Sequence, residues 1–416
     1  MQSIHIAHLV NGVRWRTRVA MARFYRRALP GVPFVGITGS CAKTTTKHLL
    51  AGIMSGHFPV ACNPGSKNRT VSLAKTILRT KKRGICIQEL GASSAGSLDA
   101  MIGLFRPTVA VVTNIMRDHY SAFRSLDAIA VEKSKLVSNL PDTGTAILNE
   151  DDPRVAAMKA LANHTITFGR ADSADLRAHG FESAWPGTLN GHVFWEGRRY
   201  TVTTRLLGEH WVTAVLAAMA AALSLGLSMR EIVSRLPLID PPNRRYSTER
   251  LPNGATVICD DFKSPMHAIQ PALEFLKSAR SARKIIVIGH ISDYSGSSSR
   301  KYKVAATKAI DICEKVLLVN RFASPKLETL SDGSHQRVHC FRYLEDVKEF
   351  LGSYLKEGDL VLLKGIRKMD HLERLFMAFM KDVGCWKLAC GRQLHCRQCP
   401  ERHGVEACRT DGRQRV

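Results

Sequence analysis

Phe34-Val-Gly-Ile-Thr-Gly-Ser-Cys-Ala-Lys43-Thr44-Thr45 is the stretch that decides the fold. Phe34 to Thr38 is a short apolar run of strand character. A Gly/Ser turn follows, then an uncharged helical stretch through Met54. Strand, turn and helix in that order, with a lysine and threonines at the helix start, make a phosphate loop. Backbone N–H groups at the helix N-terminus would hold phosphate oxygens, Lys43 would reach the β and γ phosphates, and Thr44 or Thr45 would offer a hydroxyl to Mg²⁺. Nucleotide contacts then fall on Gly36, Thr38, Gly39, Ser40, Cys41, Ala42, Lys43, Thr44 and Thr45. Ala42 stands where the pattern has its second glycine. That is cheap if the residue is right-handed and strained if its φ is positive.

Outward from the loop, apolar runs recur at Ile85–Glu89, Val109–Asn114 and Ala146–Asn149, spaced widely enough for crossover helices. Such spacing predicts a parallel sheet covered on both faces, with ligands at the carboxyl ends of its strands. Trp211 to Leu227 is uncharged and rich in Ala and Leu but short for a bilayer span, and reads as a buried helix. Pro241-Pro-Asn-Arg-Arg245 reads as a linker. The alternation then restarts at Thr256–Cys259, Ile285–Gly289, Val316–Asn320 and Leu360–Lys364, predicting a second, smaller α/β domain.

The chain has 416 residues and a formal charge of +24. Part of that excess sits at the ends. Arg14, Arg16, Arg18, Arg23, Arg26 and Arg27 precede any acid, and residues 384–416 carry seven basic side chains against three acidic. No zinc finger, helix-turn-helix or aromatic-basic motif accompanies the charge, so nucleic acid is not the expected partner. The arginine spacing over residues 13–27 fits a solvated surface helix, and also an interfacial one that touches a membrane peripherally. No apolar stretch of signal-peptide type follows the basic start, and a cytoplasmic protein is expected. Cys41, Cys62, Cys86, Cys259, Cys313 and Cys340 are scattered singly, as reduced thiols are. Five more crowd the tail. Cys390, Cys396, Cys399 and Cys408 include one Cys-x₂-Cys pair of the kind that holds Zn²⁺, although their other spacings are irregular and equally fit a reduced tail.

Gly-Ile-Thr-Gly-Ser-x-x-Lys-Thr-Thr-Thr-Lys resembles the phosphate loop of the Mur ligase superfamily, especially the branch that adds D-alanyl-D-alanine. Gln88-Glu89-Leu-Gly91 with Gly96, Thr113-Asn114-Ile115 followed by Asp118-His119, Ala130-Val-Glu-Lys133 and Asn149-Glu-Asp-Asp152 resemble later motifs of that family in order. The resemblance covers residues 34 to about 380. It implies an α/β protein with a central phosphate-loop ATPase domain, mostly parallel in its sheet, and a smaller Rossmann-like C-terminal domain. The chain then divides into a basic helical segment at 1–33, an ATP-binding domain at 34–242, a C-terminal domain at 243–383 and a Cys/His-rich basic tail at 384–416. The family's cell-wall members carry a further UDP-sugar domain ahead of the loop, where this sequence has residues 1–33.

The resemblance also assigns roles. Glu89 and His119 would hold Mg²⁺ with Thr44, and Glu89 is the hard oxygen ligand that ion takes. Taken alone, His119 reads first as a buried, hydrogen-bonded histidine; its position after the third strand, beside Asn114, reverses that preference. Lys133 matches a lysine that is carbamylated in many members and Asn114 the asparagine of the Thr-Asn motif, and these two with Lys43 and Lys263 are the expected catalytic groups. Gly208-Glu-His210 resembles the family's Gly-x-His, although Trp211 and Ala214 replace the usual asparagines. Arg245 is the candidate for ATP phosphate, and Asp261 and Lys263 lie in the loop that meets the nucleotide. Asp293 and Lys364-Gly365 fall near acceptor-handling loops. The activity implied is ATP-dependent amide formation through an acyl phosphate, joining a small-molecule carboxylate to an amino acid or other amine. A phosphate-loop ATPase or kinase, and a binding protein that has lost activity, are the alternatives.

Overall fold

The computed structural model describes residues 2–117, 120–294, 297–319, 334–381, 383–388, 390–392 and 394–403. It divides into two compact units, residues 1–182 with 188–240, and residues 183–187 with 241–416.

The first unit is built on a nine-stranded sheet. Its strands are β1 (Phe34–Thr38), β2 (Val60–Cys62), β3 (Ile85–Glu89), β4 (Val109–Val112), β5 (Thr145–Asn149), β6 (His164–Gly169), β7 (Leu176–Glu182), β8 (Asn190–Trp195) and β9 (Arg198–Thr203). They lie in the order β2-β3-β1-β4-β5-β6-β7-β8-β9. The pairs from β2 through β7 are parallel, whereas β7-β8-β9 is an antiparallel meander. The strands β1, β3 and β4 are buried along their whole length, as a sheet with both faces covered requires. The chain winds one way from β1 through β2 to β3 and the other way from β4 onward. The carboxyl end of β1 therefore lies at the switch point where α/β sheets bind ligands.

Helices Lys43–Met54 and Val212–Ser224 pack together, and the latter is buried from Ala214 to Ala222, as its composition predicts. The N-terminal helix Gln2–Arg27 rests on helices Thr70–Arg79 and Asp99–Phe105. Arg26 is buried there: Nε donates to the Phe105 carbonyl (2.8 Å), Nη2 donates to that of Arg106 (2.7 Å), and the guanidinium lies over the Phe34 ring. One of the six early arginines thus fastens the helix to the domain, while Phe24, 77% exposed, faces outward. Among the described residues no helix is long and apolar enough to cross a membrane.

Among its described residues the second unit has six strands, β10 (Ser247–Arg250), β11 (Thr256–Asp260), β12 (Lys284–Ile288), β13 (Lys315–Val319), β14 (Val338–Phe341) and β15 (Leu360–Lys364), in the order β10-β11-β15-β12-β13-β14. Only β10 pairs antiparallel, at an edge. The four apolar runs read after residue 245 are β11, β12, β13 and β15. The segment read as a linker is anchored: Arg244 is 1% exposed, at φ 62°. The ten described cysteines are all free thiols.

Candidate nucleotide and metal site

The loop after β1 is shaped by what it must approach. Gly39 has φ 137°, and a Cβ there would fall 1.9 Å from the Thr113 hydroxyl, so only glycine fits. Asn114 fixes the next two residues, its Oδ1 accepting from the amides of Ser40 (3.2 Å) and Cys41 (2.9 Å). The Thr113 hydroxyl donates to the Cys41 carbonyl (2.7 Å), and Asn149 Nδ2 donates to the Thr113 carbonyl (2.8 Å). Two motifs quoted for their resemblance thus act as a brace behind the loop. Asn114, expected among the catalytic groups, acts here on the loop itself.

Ala42 adopts φ 65°, ψ −19°, the left-handed conformation, and its side chain makes no cap to the helix that starts at Lys43. The inexpensive right-handed alternative is therefore excluded. Left-handed alanine costs roughly 1–2 kcal/mol, and such strain collects at functional sites.

The side chains expected to meet phosphate and metal converge on this loop. Lys43 Nζ is buried and donates to the carbonyls of Gly39 and Ser40. Lys133, from helix Leu126–Ser138, is 1% exposed and donates from 3.0 Å to the same Gly39 carbonyl. The Thr44 hydroxyl donates to Glu89 Oε2 across 2.7 Å, at the carboxyl end of β3. A hydroxyl and a carboxylate beside a phosphate loop are the hard oxygen donors that fit Mg²⁺. His119, the third expected ligand, lies outside the described residues. Thr38 and Thr45 are buried, each with a hydroxyl that has no hydrogen-bond partner among the described residues. His210 rings against Trp211 at 4.5 Å between centroids, beyond Gly208 at φ 97°.

Three residues of this neighbourhood escaped the sequence reading. Glu132, 2% exposed, accepts from the amides of Gly96 (2.9 Å) and Leu98 (2.8 Å) and so holds the loop after β3. Although burial alone would raise its carboxyl, those two amides and Lys135 hold it below its ordinary value. Lys47 and Asn63 form the other support: Lys47 Nζ donates to the Asn63 carbonyl (2.6 Å), and Asn63 Oδ1 accepts from the Glu89 amide (3.3 Å). Glu132 stood beside Lys133 in a quoted motif, but nothing local signals a partner more than thirty residues upstream.

In the second unit the expected nucleotide residues have the following surroundings. Asp261 is fully buried and held on both oxygens by Arg244, whose Nη1 also lies 2.6 Å from Glu373 Oε1. Arg245, the expected phosphate contact, is half-buried with its guanidinium 4.8 Å over the Phe262 ring. Lys263 is exposed. Lys364 pairs with Asp260 in a buried bridge, and Asp293 accepts from the Ser292 hydroxyl.

Comparison with known proteins agrees with this fold. The profile of the Mur ligase middle domain matches residues 37–222, and that of the Mur ligase, glutamate ligase domain matches residues 244–367. The UDP-N-acetylmuramoyl-tripeptide–D-alanyl-D-alanine ligase of Mycobacterium tuberculosis is 32% identical over 253 residues, 59% of this chain and 49% of that protein. The enzyme of the same name from Bacillus subtilis is 25% identical over 353 residues, 84% of this chain and 76% of its own. The chain spans about half the length of the first curated relatives it matches. Among solved structures, MurF from Acinetobacter baumannii superposes with a TM-score of 0.80 at 24% identity, covering 88% of this chain and 80% of that one. MurF from Thermotoga maritima in complex with ADP gives 0.75 at 21%, covering 88% and 83%. These structures share the fold. With both domain profiles matched in order along it, the chain belongs to the Mur ligase family.

Proposed function

We propose that this chain joins a carboxylate to an amine at the expense of ATP, releasing ADP and phosphate. The observation that carries the reading is the convergence of Lys43, Lys133 and the Thr44–Glu89 pair on one phosphate loop.

A carboxylate does not condense with an amine in neutral water because its leaving group is poor. Transfer of the γ-phosphoryl group to a carboxylate oxygen releases ADP and yields an acyl phosphate. The amine nitrogen then attacks the acyl carbon, loses a proton, and phosphate leaves. Such transfer is chiefly positioning and charge neutralisation. Lys43 balances the charge growing on the transferring group, and the loop amides behind Gly39 orient it. Thr44 and Glu89, with His119, are the residues that would hold Mg²⁺, which neutralises phosphate charge. Lys133 would serve the same site, as an ammonium or, carbamylated, as a carboxylate. His210, Arg245 and Asp261 are the further residues proposed to meet the nucleotide, Asp261 through the orientation it gives Arg244, and Lys263 is proposed to help balance charge on the transferring group. The names of the relatives support a peptide carboxylate as donor and a small amino acid or dipeptide as acceptor.

The test is incubation with Mg-ATP and pooled acids and amines, following ADP and searching for condensed products by mass spectrometry. A new amide appearing with ADP, and absent with Lys43→Ala, is the expected result. ADP released equally with and without amine would identify an ATPase instead.

A further inference from the structure

The second unit carries a group of metal-binding side chains that the ligase chemistry does not use. His371 Nδ1 lies 3.3 Å from Cys396 Sγ, and one ligand atom each from His371, Glu373 and Cys396 falls within 4.8 Å of the others. His371 is 1% exposed, its Nε2 has no hydrogen-bond partner among the described residues, and its backbone is left-handed at φ 49°. A buried imidazole with an orphaned nitrogen costs free energy unless something binds the ring. Its left-handed backbone closes the short helix Arg367–Asp370, the His371 amide donating to the Arg367 carbonyl.

The tail supplies the rest. Cys385, Cys390, Cys396 and Cys399 line one cavity with His371. Cys396 to Cys399 is a Cys-x₂-Cys turn, closed by the Cys399 amide donating to the Cys396 carbonyl (3.1 Å). Glu373 stands behind it. Its Oε1 accepts from the Cys396 amide (2.6 Å) and lies 2.6 Å from Arg244 Nη1, while its Oε2 lies 3.7 Å from His395 Nδ1, so the carboxylate supports the turn that carries Cys396. Among the described residues from 383 to 403, two short 3₁₀ turns are the regular structure, and Leu388 and Leu394 are 38% and 48% exposed. A segment with so little apolar burial needs another source of order. Arg374, Arg392 and Arg402 border the same cavity. Arg392 pairs there with Glu401, Arg374 donates to the carbonyls of Cys385 (3.0 Å) and Lys387 (3.1 Å), and Arg402 donates to that of Arg397 (2.8 Å), so these guanidinium groups hold the tail's backbone around the cavity.

We propose that the tail binds one structural Zn²⁺ through Cys396, Cys399 and His371, with Cys385 or Cys390 as the fourth ligand. Thiolate and imidazole donors favour zinc over the hard ion of the nucleotide site. The site replaces Cys408, expected from spacing alone and outside the described residues, with a histidine from the domain body. The ion therefore pins the tail to the second unit.

Full-length protein purified with trace zinc should hold one zinc per chain beyond any at the nucleotide site. A zinc chelator should lower its Tm, and Zn²⁺ but not Mg²⁺ should restore it. Replacement with Co²⁺ should give the intense visible bands of a tetrahedral centre, with a charge-transfer intensity of three thiolates. Cys396→Ser, Cys399→Ser and His371→Ala should each weaken zinc binding by more than about a hundredfold, beyond the effect of an outer-sphere change. Competition for zinc with a coloured chelator on the wild-type protein gives the affinity without relying on variants that fold poorly. Protein without zinc whose tail thiols all react with a thiol reagent unaffected by added Zn²⁺, a Cys396–Cys399 disulfide, or full zinc retention in His371→Ala would each overturn the proposal.

Discussion

The Thr44 hydroxyl and the Glu89 carboxylate meet at 2.7 Å, joining the first turn of the phosphate-loop helix to the end of β3. The residues are 45 positions apart, and only the β3-β1 pairing brings them together. If the pair holds the metal, neutralising either should act on the chemical step. Glu89→Gln and Thr44→Val should each lower kcat about a hundredfold or more, raise the Mg²⁺ concentration at half-maximal rate, and leave Tm within a few degrees. The double variant should be little worse than the worse single one. Steady-state kinetics over a magnesium titration checks this, and an unchanged magnesium requirement would remove Glu89 from the metal site.

Lys133 shares the Gly39 carbonyl with Lys43, although the two come from different helices. Lys133→Ala should abolish most activity in a folded protein. If the native side chain is carbamylated, millimolar short carboxylic acids should restore part of the rate, and wild-type activity should rise with added bicarbonate. Rate assays with and without acetate separate that chemistry from a simple ammonium, which acetate would not replace.

Left-handed Ala42 is a local cost that glycine removes. Ala42→Gly should stabilise the apo protein by about 0.5–1 kcal/mol, because relief of the left-handed strain outweighs the added freedom of the unfolded chain. For a unit of this size that is a Tm rise of roughly 2 °C by calorimetry. A fall in Tm would mean that the Ala42 methyl makes packing contacts worth more than the strain.

Glu132 makes the loop after β3 sensitive to acid. Its carboxyl is held below its ordinary value in the folded protein, so it adds stability at pH above the unfolded-state value near 4.5, and that stability is lost as pH falls through the lower folded value. Glu132→Gln keeps one acceptor for two amides and should cost about 1–3 kcal/mol at pH 7. The gap from wild type should narrow below pH 4. Urea unfolding at the two pH values measures it, and a gap independent of pH would show that the loss is packing.

Much of this molecule is legible locally. Phe34–Thr38, Ile85–Glu89 and Leu360–Lys364 announce themselves because a strand buried on both faces is an unbroken apolar run, and the phosphate loop because its chemistry needs consecutive residues. The hairpins β7-β8 and β8-β9 escaped, since half-exposed alternation such as that of Arg198–Thr203 is a weaker signal. Long-range polar pairs were harder still. Nothing adjacent distinguishes Arg244 from Arg245, yet one is buried between Asp261 and Glu373 and the other stacks on Phe262. The partner that decides the matter is 129 positions away. His371, likewise, has no neighbour in sequence that points to Cys396.

The most direct test of amide formation through an acyl phosphate is to label both carboxylate oxygens of the acid substrate with heavy oxygen and weigh the phosphate released. The account predicts one heavy oxygen transferred to phosphate for each amide formed, and none with Lys43→Ala. Amide formed with unlabelled phosphate would contradict it, because the carboxylate would not have been phosphorylated.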